Sequence, residues 1–204
     1  MMACDKIDIV TPFGSGNFEW LVKIYESLQP IPIDWTWYIV ADSKTSARVD
    51  SRWFEDKFKN TYLASLHKSI ESGWGKNQIN YYLRNSDSTN RDKWVYVVDD
   101  DTIVHPNFYE FDFAREEGFV IFSQDISGSQ YGGESRIVSD PVRDCAPFGI
   151  DQGQMIHKRS FIGDLLYWPI YRGDGYFALE SRIRANNNVG IDPEVRSYYN
   201  FLKR

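Results

Sequence analysis

Cysteine is scarce in this chain of 204 residues: Cys4 and Cys145 are its only two. Two thiols make no disulfide framework and no metal-ligand spacing, and they point to a reducing compartment. A basic excess is missing too. Twenty-three Lys and Arg stand against 29 Asp and Glu, for a net charge of −6. That balance argues against non-specific binding to nucleic acid or to an anionic membrane. An anionic ligand would need a metal ion or a local basic cluster. No apolar run reaches membrane-spanning length, and Met-Met-Ala-Cys-Asp-Lys leads into a strand without the apolar stretch of a signal peptide. The expectation is a cytoplasmic protein with no membrane span. Repeats, low-complexity tracts, domain-sized linkers, a Walker loop and a Gly-x-Ser-x-Gly elbow are all absent. One domain over residues 1–204 follows from the length.

Aromatic residues, by contrast, are abundant. Thirteen Tyr, thirteen Phe and seven Trp bring the aromatic share to 16%. Core packing accounts for most of them, and the surplus favours a ligand cleft, since rings stack on sugars and bases. Trp74, Tyr131, Trp168 and Tyr176 are the candidates for a sugar platform.

The element pattern alternates. Residues 7–13 read as a strand ended by Gly14-Ser-Gly16, and Asn17 caps a helix over 18–28 with Phe18, Leu21, Ile24, Tyr25 and Leu28 on one face. A second strand, 35–41, ends at Asp42. A helix over about 49–58 and an ambiguous stretch at 62–70 precede the turn Gly73-Trp-Gly75 and a helix over 76–84. Further strands fall at 94–98, 119–123 and 154–157, with helices opening at Pro106 and covering 160–167 and 176–185. Residues 128–144 form a long polar loop, a length that is often functional in compact domains. The class is α/β, with a central, mainly parallel sheet flanked by helices.

The strand at 94–98 runs straight into three adjacent carboxylates, Asp99, Asp100 and Asp101. Three like charges in a row repel and stabilise no fold; a cation, or a ligand that brings one, makes them tolerable. Ligands of open α/β sheets bind outside the carboxyl ends of the strands, where this triplet falls. The plain alternative is a solvated acidic turn. Thr11-Pro12 and Asp42 end the other two early strands and would line the same crevice. Lys76 and Asn77, opening a helix after glycines, would bring backbone donors and one cation to a phosphate; a simple capped helix is the competing reading. Spacing tests two other nucleotide-handling chemistries. A haloacid-dehalogenase-like phosphatase needs Asp-x-Asp-x-Thr, and Thr102 stands one place early. A nucleotidyltransferase should carry a basic glycine-rich loop after its first strand, and Gly14-Ser-Gly16 has no basic residue.

Several segments together carry a resemblance. They are Asp-Ile-Val-Thr-Pro-Phe at 8–13, Trp-Tyr-Ile-Val-Ala-Asp at 37–42, Gly-Lys-Asn-Gln-Ile-Asn at 75–80 and Val-Tyr-Val-Val-Asp-Asp-Asp at 95–101. Gly-Ile-Asp-Gln-Gly-Gln-Met-Ile at 149–156 and Gly-Asp-Gly-Tyr-Phe at 173–177 complete the series. In this order they resemble nucleotide-sugar-dependent glycosyltransferases of the GT-A fold, especially the animal β-1,3-glucuronyltransferases and more loosely family 2. Two departures stand out: Thr-Ile-Val follows the triplet in place of Asn-Thr-Tyr, and the late acidic motif is Gly-Asp-Gly without Glu. Sugar specificity is not carried over.

The resemblance implies a single GT-A-like, Rossmann-like domain with a nucleotide-binding half (about 1–101) and an acceptor and catalytic half (about 102–204). It implies inverting transfer of a sugar from a nucleoside-diphosphate sugar, with uridine as the nucleoside, to a glycan, lipid-linked or other hydroxyl acceptor. Asp101, with Asp99, would hold Mn²⁺ or Mg²⁺, hard cations that favour carboxylate and phosphate oxygens. Asp99 or Asp100 would meet the ribose or the metal's water, and Thr11, Pro12 and Asp42 the nucleoside. Lys76 and Asn77 would lie close by. Asp174 would be the general base for the acceptor hydroxyl; its bland reading is a turn before glycine. Asp151, beside Gln152 and Gly153, would line the donor-sugar or acceptor pocket. A late histidine serves as metal ligand in some such enzymes, which makes His157 a candidate against the reading of a surface histidine. His105 is either a phosphate contact or a helix entry, and His67 has no role. With so little chain after the long loop, the acceptor subsite would be minimal, or completed by a partner subunit or oligomer. The alternative from another class is a non-catalytic nucleotide-sugar- or glycan-binding relative.

Overall fold

A strand buried on both faces needs cover on each, and the first strand shows how this chain supplies it. In the computed structural model, which describes residues 6–46, 51–66, 75–86, 93–130 and 132–203, β1 (Lys6–Phe13) is buried from Ile7 onward. Alternate side chains of a strand point to opposite faces. Ile7, Ile9 and Phe13 therefore join one core cluster, while Val10 joins the other. On the first face packs α1 (Phe18–Leu28), capped by Asn17, whose side chain accepts from the Glu19 amide, and burying Leu21, Ile24 and Leu28. Next in the chain are β2 (Asp34–Ala41), the short helices α2 (Ser43–Ser46) and α3 (Ser51–Lys57), and β3 (Thr61–Ser65). The second face is covered by α4 (Lys76–Asn85), through Ile79, Tyr82 and Leu83.

The acidic triplet follows β4 (Trp94–Val97), which is buried throughout. Trp94 and Tyr96 enter the first cluster, and Val95 and Val97 the second. Then come β5 (Ile103–Val104), a 3-10 turn at Pro106–Glu110, β6 (Phe119–Asp125), α5 (Pro141–Asp144), β7 (Met155–Lys158), α6 (Arg159–Ile162), α7 (Gly173–Arg184) and β8 (Gly190–Tyr198). The strands form one sheet in the order β3-β2-β1-β4-β7-β6-β8-β5. β1 to β4 are mutually parallel, β7 runs against both neighbours, β8 is parallel to β6, and β5 closes the edge antiparallel to β8. The mainly parallel α/β expectation holds.

Three details differ from the sequence reading. The helix expected over 160–167 is only α6, because Gly163 leaves it at φ 57° and Tyr167 is instead held at both backbone groups by the Asn80 amide, at 2.7 and 2.8 Å. The ambiguous stretch after residue 61 contains β3. Nine residues that gave no strand signal form β8, because Asp192, Pro193 and Glu194 interrupt its pattern and are accommodated by register shifts against β6. Among the described residues no helix is long and apolar enough to cross a membrane.

Candidate active site

The strand order reverses between β1 and β4: the chain leaves β1 toward β2 on one side, and β4 returns on the other. A crevice at the strand ends is the geometric consequence. Here it is a cleft of about 820 Å³ floored by Pro12, the Gly14-Ser15 turn and the acidic triplet, and walled by the starts of α4 and α7, the 147–152 loop and the 199–203 segment. That volume lies within the range of small-molecule sites.

Each carboxylate of the triplet has its own protein partners. Asp100 Oδ2 accepts from the backbone amides of Gly14, at 3.0 Å, and Ser15, at 2.7 Å, and so ties the end of β4 to the turn after β1. Asp99 Oδ1 accepts from Gln152 Nε2. Burial pushes the Asp99 carboxyl well above the usual range; repulsion from Asp151 and Asp101 adds to this, and Lys76 opposes it. Asp101 Oδ2 pairs with Lys203 Nζ. Its backbone carbonyl accepts from the Leu202 amide at 3.0 Å. The Asn200 amide, with its nitrogen toward Asp101, donates to both carboxylate oxygens at 3.0 Å. Burial raises the Asp101 carboxyl and Lys203 pulls it back.

A second network faces the triplet. Gly75 adopts φ 82° ahead of α4. Lys76, which follows, is buried, with Nζ donating to Gln152 Oε1 at 2.6 Å and pairing with Asp174 Oδ1 at 2.8 Å. Asp174 sits in the first turn of α7 between two glycines that pack without side chains. A Cβ on Gly173 would lie 2.0 Å from the Trp168 carbonyl oxygen, and one on Gly175 would lie 2.4 Å from the Pro147 backbone. Those close approaches set Asp174 into the cleft. Asp151 caps the 3-10 turn Gln152–Gln154 by accepting from the Gly153 amide at 2.9 Å. Burial, and then the Asp174 charge, push its carboxyl up while Lys76 opposes them. One buried ammonium thus faces three carboxylates.

Pro12, Lys76, Asp99, Asp100, Asp101, Asp151 and Asp174 come together around the cleft. Other candidate residues are placed elsewhere. Thr11 is fully buried on the face of Ile9 and Phe13, its Oγ1 accepting from Trp37 Nε1 at 2.9 Å. Asp42 stands beside Gly14 and accepts from the Thr45 amide at 2.7 Å, which starts α2. Asn77 lines a separate surface groove with Arg84 and Trp168. His157 lies on β7 and is buried, not surface-exposed, with its ring edge-on to Phe177; burial lowers its pKa to about 3. It takes no part in the cleft lining. His105 is a helix entry, its Nδ1 accepting from the Asn107 amide at 3.1 Å. Trp168 and Tyr176 stack on each other, 5.1 Å between centroids. His67, Trp74 and Tyr131 lie outside the described residues. The sequence reading missed Arg136, Arg172, Asn200 and Lys203, all at the cleft. Arg136 stands in the long polar loop already marked as functional; the other three gave no spacing signal.

Divalent cations of the magnesium or manganese type need several oxygen ligands. Asp100 is engaged by backbone amides, Asp99 by an amide side chain and Asp101 by an ammonium. No three His, Cys, Asp or Glu side chains among the described residues converge as a metal-holding group. As arranged, these residues do not fit a metal centre.

No protein-family profile and no curated protein sequence matches the chain. Solved structures do. TarS of S. aureus, residues 1–349, in complex with UDP-GlcNAc superposes at a TM-score of 0.64 and 13% identity over 95% of this chain and 58% of that one. A longer TarS chain gives 0.63 at 13% identity, with 95% of this chain and 36% of that one covered. The glucosyl-3-phosphoglycerate synthase of Mycobacterium tuberculosis, with Mn²⁺, UDP and phosphoglyceric acid, gives 0.57 at 15% identity over 94% and 70% of the two chains. The chain spans roughly a third to three fifths of the TarS chains it matches. The likeness shows the fold, which is GT-A-like.

Proposed function

We propose that this chain transfers a sugar, with inversion, from a nucleoside-diphosphate sugar, with UDP as the nucleotide, to a hydroxyl acceptor such as a glycan. The observation that carries the reading is the switch-point cleft: it gathers the acidic triplet, the Gly14-Ser15 turn and the Lys76–Asp174 pair in a fold shared with structures solved around UDP and UDP-GlcNAc. In this reading the segment before residue 101 holds the nucleotide and the later segment presents acceptor and base. Asp99 and Asp100 face the ribose, and the basic rim of the cleft offsets the diphosphate charge. Asp174 takes the proton from the acceptor hydroxyl as its oxygen attacks the anomeric carbon and the bond to the diphosphate breaks, UDP leaving with the electron pair, while Lys76 holds that carboxylate in place. Asp151 and Gln152 bound the sugar pocket. Dependence on Mn²⁺ or Mg²⁺, which the resemblance implies, is not part of this reading because protein donors already engage the triplet.

The test is UDP release from UDP-sugars across an acceptor panel, with product anomers assigned by NMR. Asp174→Asn should keep UDP binding in calorimetry and lose roughly 10²-fold or more in transfer, the usual scale for a general base. Full transfer by Asp174→Asn removes the base assignment, and no UDP binding by the folded wild type removes the function. One observation favours a second reading. The Asp174 carboxylate is already engaged by the Lys76 ammonium at 2.8 Å, which suits a nucleotide-sugar-binding protein without turnover. UDP-sugar binding with no transfer to any acceptor would select it.

A further inference from the structure

Asp101 needs a counter-charge, and the chain carries one to it. β8 ends at Tyr198 and turns directly beneath the triplet. The Leu202 amide bonds the Asp101 carbonyl at 3.0 Å, and the short turn Phe201–Lys203 brings the Lys203 ammonium onto Asp101 Oδ2. Asp101 is 6% exposed at its side chain while Lys203 is 41% exposed and borders the cleft. The ammonium therefore keeps one side on the carboxylate and the other toward the cavity. An ammonium has three donors, so a bond to Asp101 leaves others for an anion. The remaining cations of the cleft are engaged differently. Lys76 is committed to Asp174 and Gln152, Arg136 lies over the Tyr199 ring, and Arg172 lies 3.4 Å over Phe148.

We propose that Lys203 is a built-in cation for the donor diphosphate, occupying the position at Asp101 that the family resemblance implies for a metal, so that donor binding needs no divalent ion. This rests on the nucleotide-sugar reading above. A divalent ion would have to displace Lys203 from Asp101, so the ammonium and the ion exclude each other at that carboxylate.

UDP calorimetry in excess EDTA and in Mn²⁺ tests this on the wild type, Lys203→Met, Lys203→Arg and Asp101→Asn. Wild-type affinity should change by less than about threefold between the two conditions. Lys203→Met should weaken UDP by about tenfold in EDTA, the scale of one lost charge contact, and regain affinity with Mn²⁺ because the ammonium no longer competes for Asp101. Lys203→Arg should stay within about threefold of wild type in EDTA. Asp101→Asn should tighten UDP in EDTA, since Lys203 is released to the diphosphate, whereas a metal-held diphosphate would be lost. The inference falls if EDTA abolishes wild-type binding, if Lys203→Met matches wild type in EDTA, or if Asp101→Asn weakens binding. Should folded wild type bind no UDP in either condition, the nucleotide-sugar reading fails first and this one with it. Asp101→Asn and Lys203→Arg decide the matter even if Lys203→Met does not fold.

Discussion

Replacing Lys76 with Met isolates the electrostatics of the cleft. The methionine keeps an apolar stem, which matters because Lys76 is 3% exposed, and removes the ammonium with its charge and its donors. What remains is Asp174 without its 2.8 Å partner, Gln152 Oε1 without its donor, and Asp99 and Asp151 without the cation that most opposes their burial. Breaking a buried pair from one side costs about 3–5 kcal/mol. Asp174 retains 15% side-chain exposure toward the cleft, so water reaches it and the lower end applies, about 3 kcal/mol. For a chain of this size that is a fall in Tm of roughly 6–12 °C.

The loss should also depend on pH with a definite sign. Burial, then neighbouring carboxylates, raise Asp99 and Asp151 above the ordinary carboxylate value, and without Lys76 they rise further. Between the ordinary and the raised value the folded state binds more protons than the unfolded one, so stability increases as pH falls through that window. The deficit of Lys76→Met against wild type should therefore be largest at neutral pH and shrink on acidification. Urea unfolding at a series of pH values from neutral down to about 5 measures it, a range chosen to stay above ordinary carboxylate titration. Adding Asp174→Asn to Lys76→Met should restore part of the loss, giving a coupling of about 1–3 kcal/mol in the double-mutant cycle. A deficit that is flat with pH, or that grows on acidification, refutes the reasoning.

Two further outcomes are expected. His157 has a folded pKa near 3 against an ordinary 6.5, so below that ordinary value the unfolded chain takes a proton that the folded one refuses. Stability is then lost as pH falls, at about 1.4 kcal/mol per unit. His157→Leu should lack this acid sensitivity, gaining about 2 kcal/mol on wild type between pH 7 and 5 in urea titrations; parallel profiles would contradict the burial argument. Gly175→Ala places a methyl 2.4 Å from the Pro147 backbone. It should destabilise by roughly 2 kcal/mol or more in thermal melts and lower UDP-sugar turnover by displacing Asp174, and a Tm unchanged within error would show that the loop yields.

The central strands were legible because burial on both faces writes itself as an unbroken apolar run, and the triplet was legible because it ends such a run. Which face a side chain takes was not. Residues 9–13 are apolar or small throughout, so nothing in the run said that Thr11 shares the side of Ile9 and Phe13 and spends its hydroxyl on Trp37. The same parity hid His157: on a strand paired with β4 and β6, it turns inward to Phe177 rather than toward the strand end. Lys76 and Asp174 were found from the order of the segments, and their ion pair was not, because residues so distant in sequence meet only once α4 and α7 are packed.

The largest omission follows from one strand. β8 carries Asp192, Pro193, Glu194 and Arg196, a composition that denies a strand by any local rule. It holds through its ladder with β6 and through the Asp192–Arg196 pair at 2.8 Å. Overlooking it meant overlooking what it delivers, namely Asn200 and Lys203 against Asp101. Three adjacent carboxylates look like a metal site as long as the cations of the chain are unplaced. Once Gly14 and Ser15 amides, Gln152 and Lys203 are set around them, the same charges form a compensated floor. The cation that the acidic run demanded is in the sequence itself, carried there by the strand hardest to read.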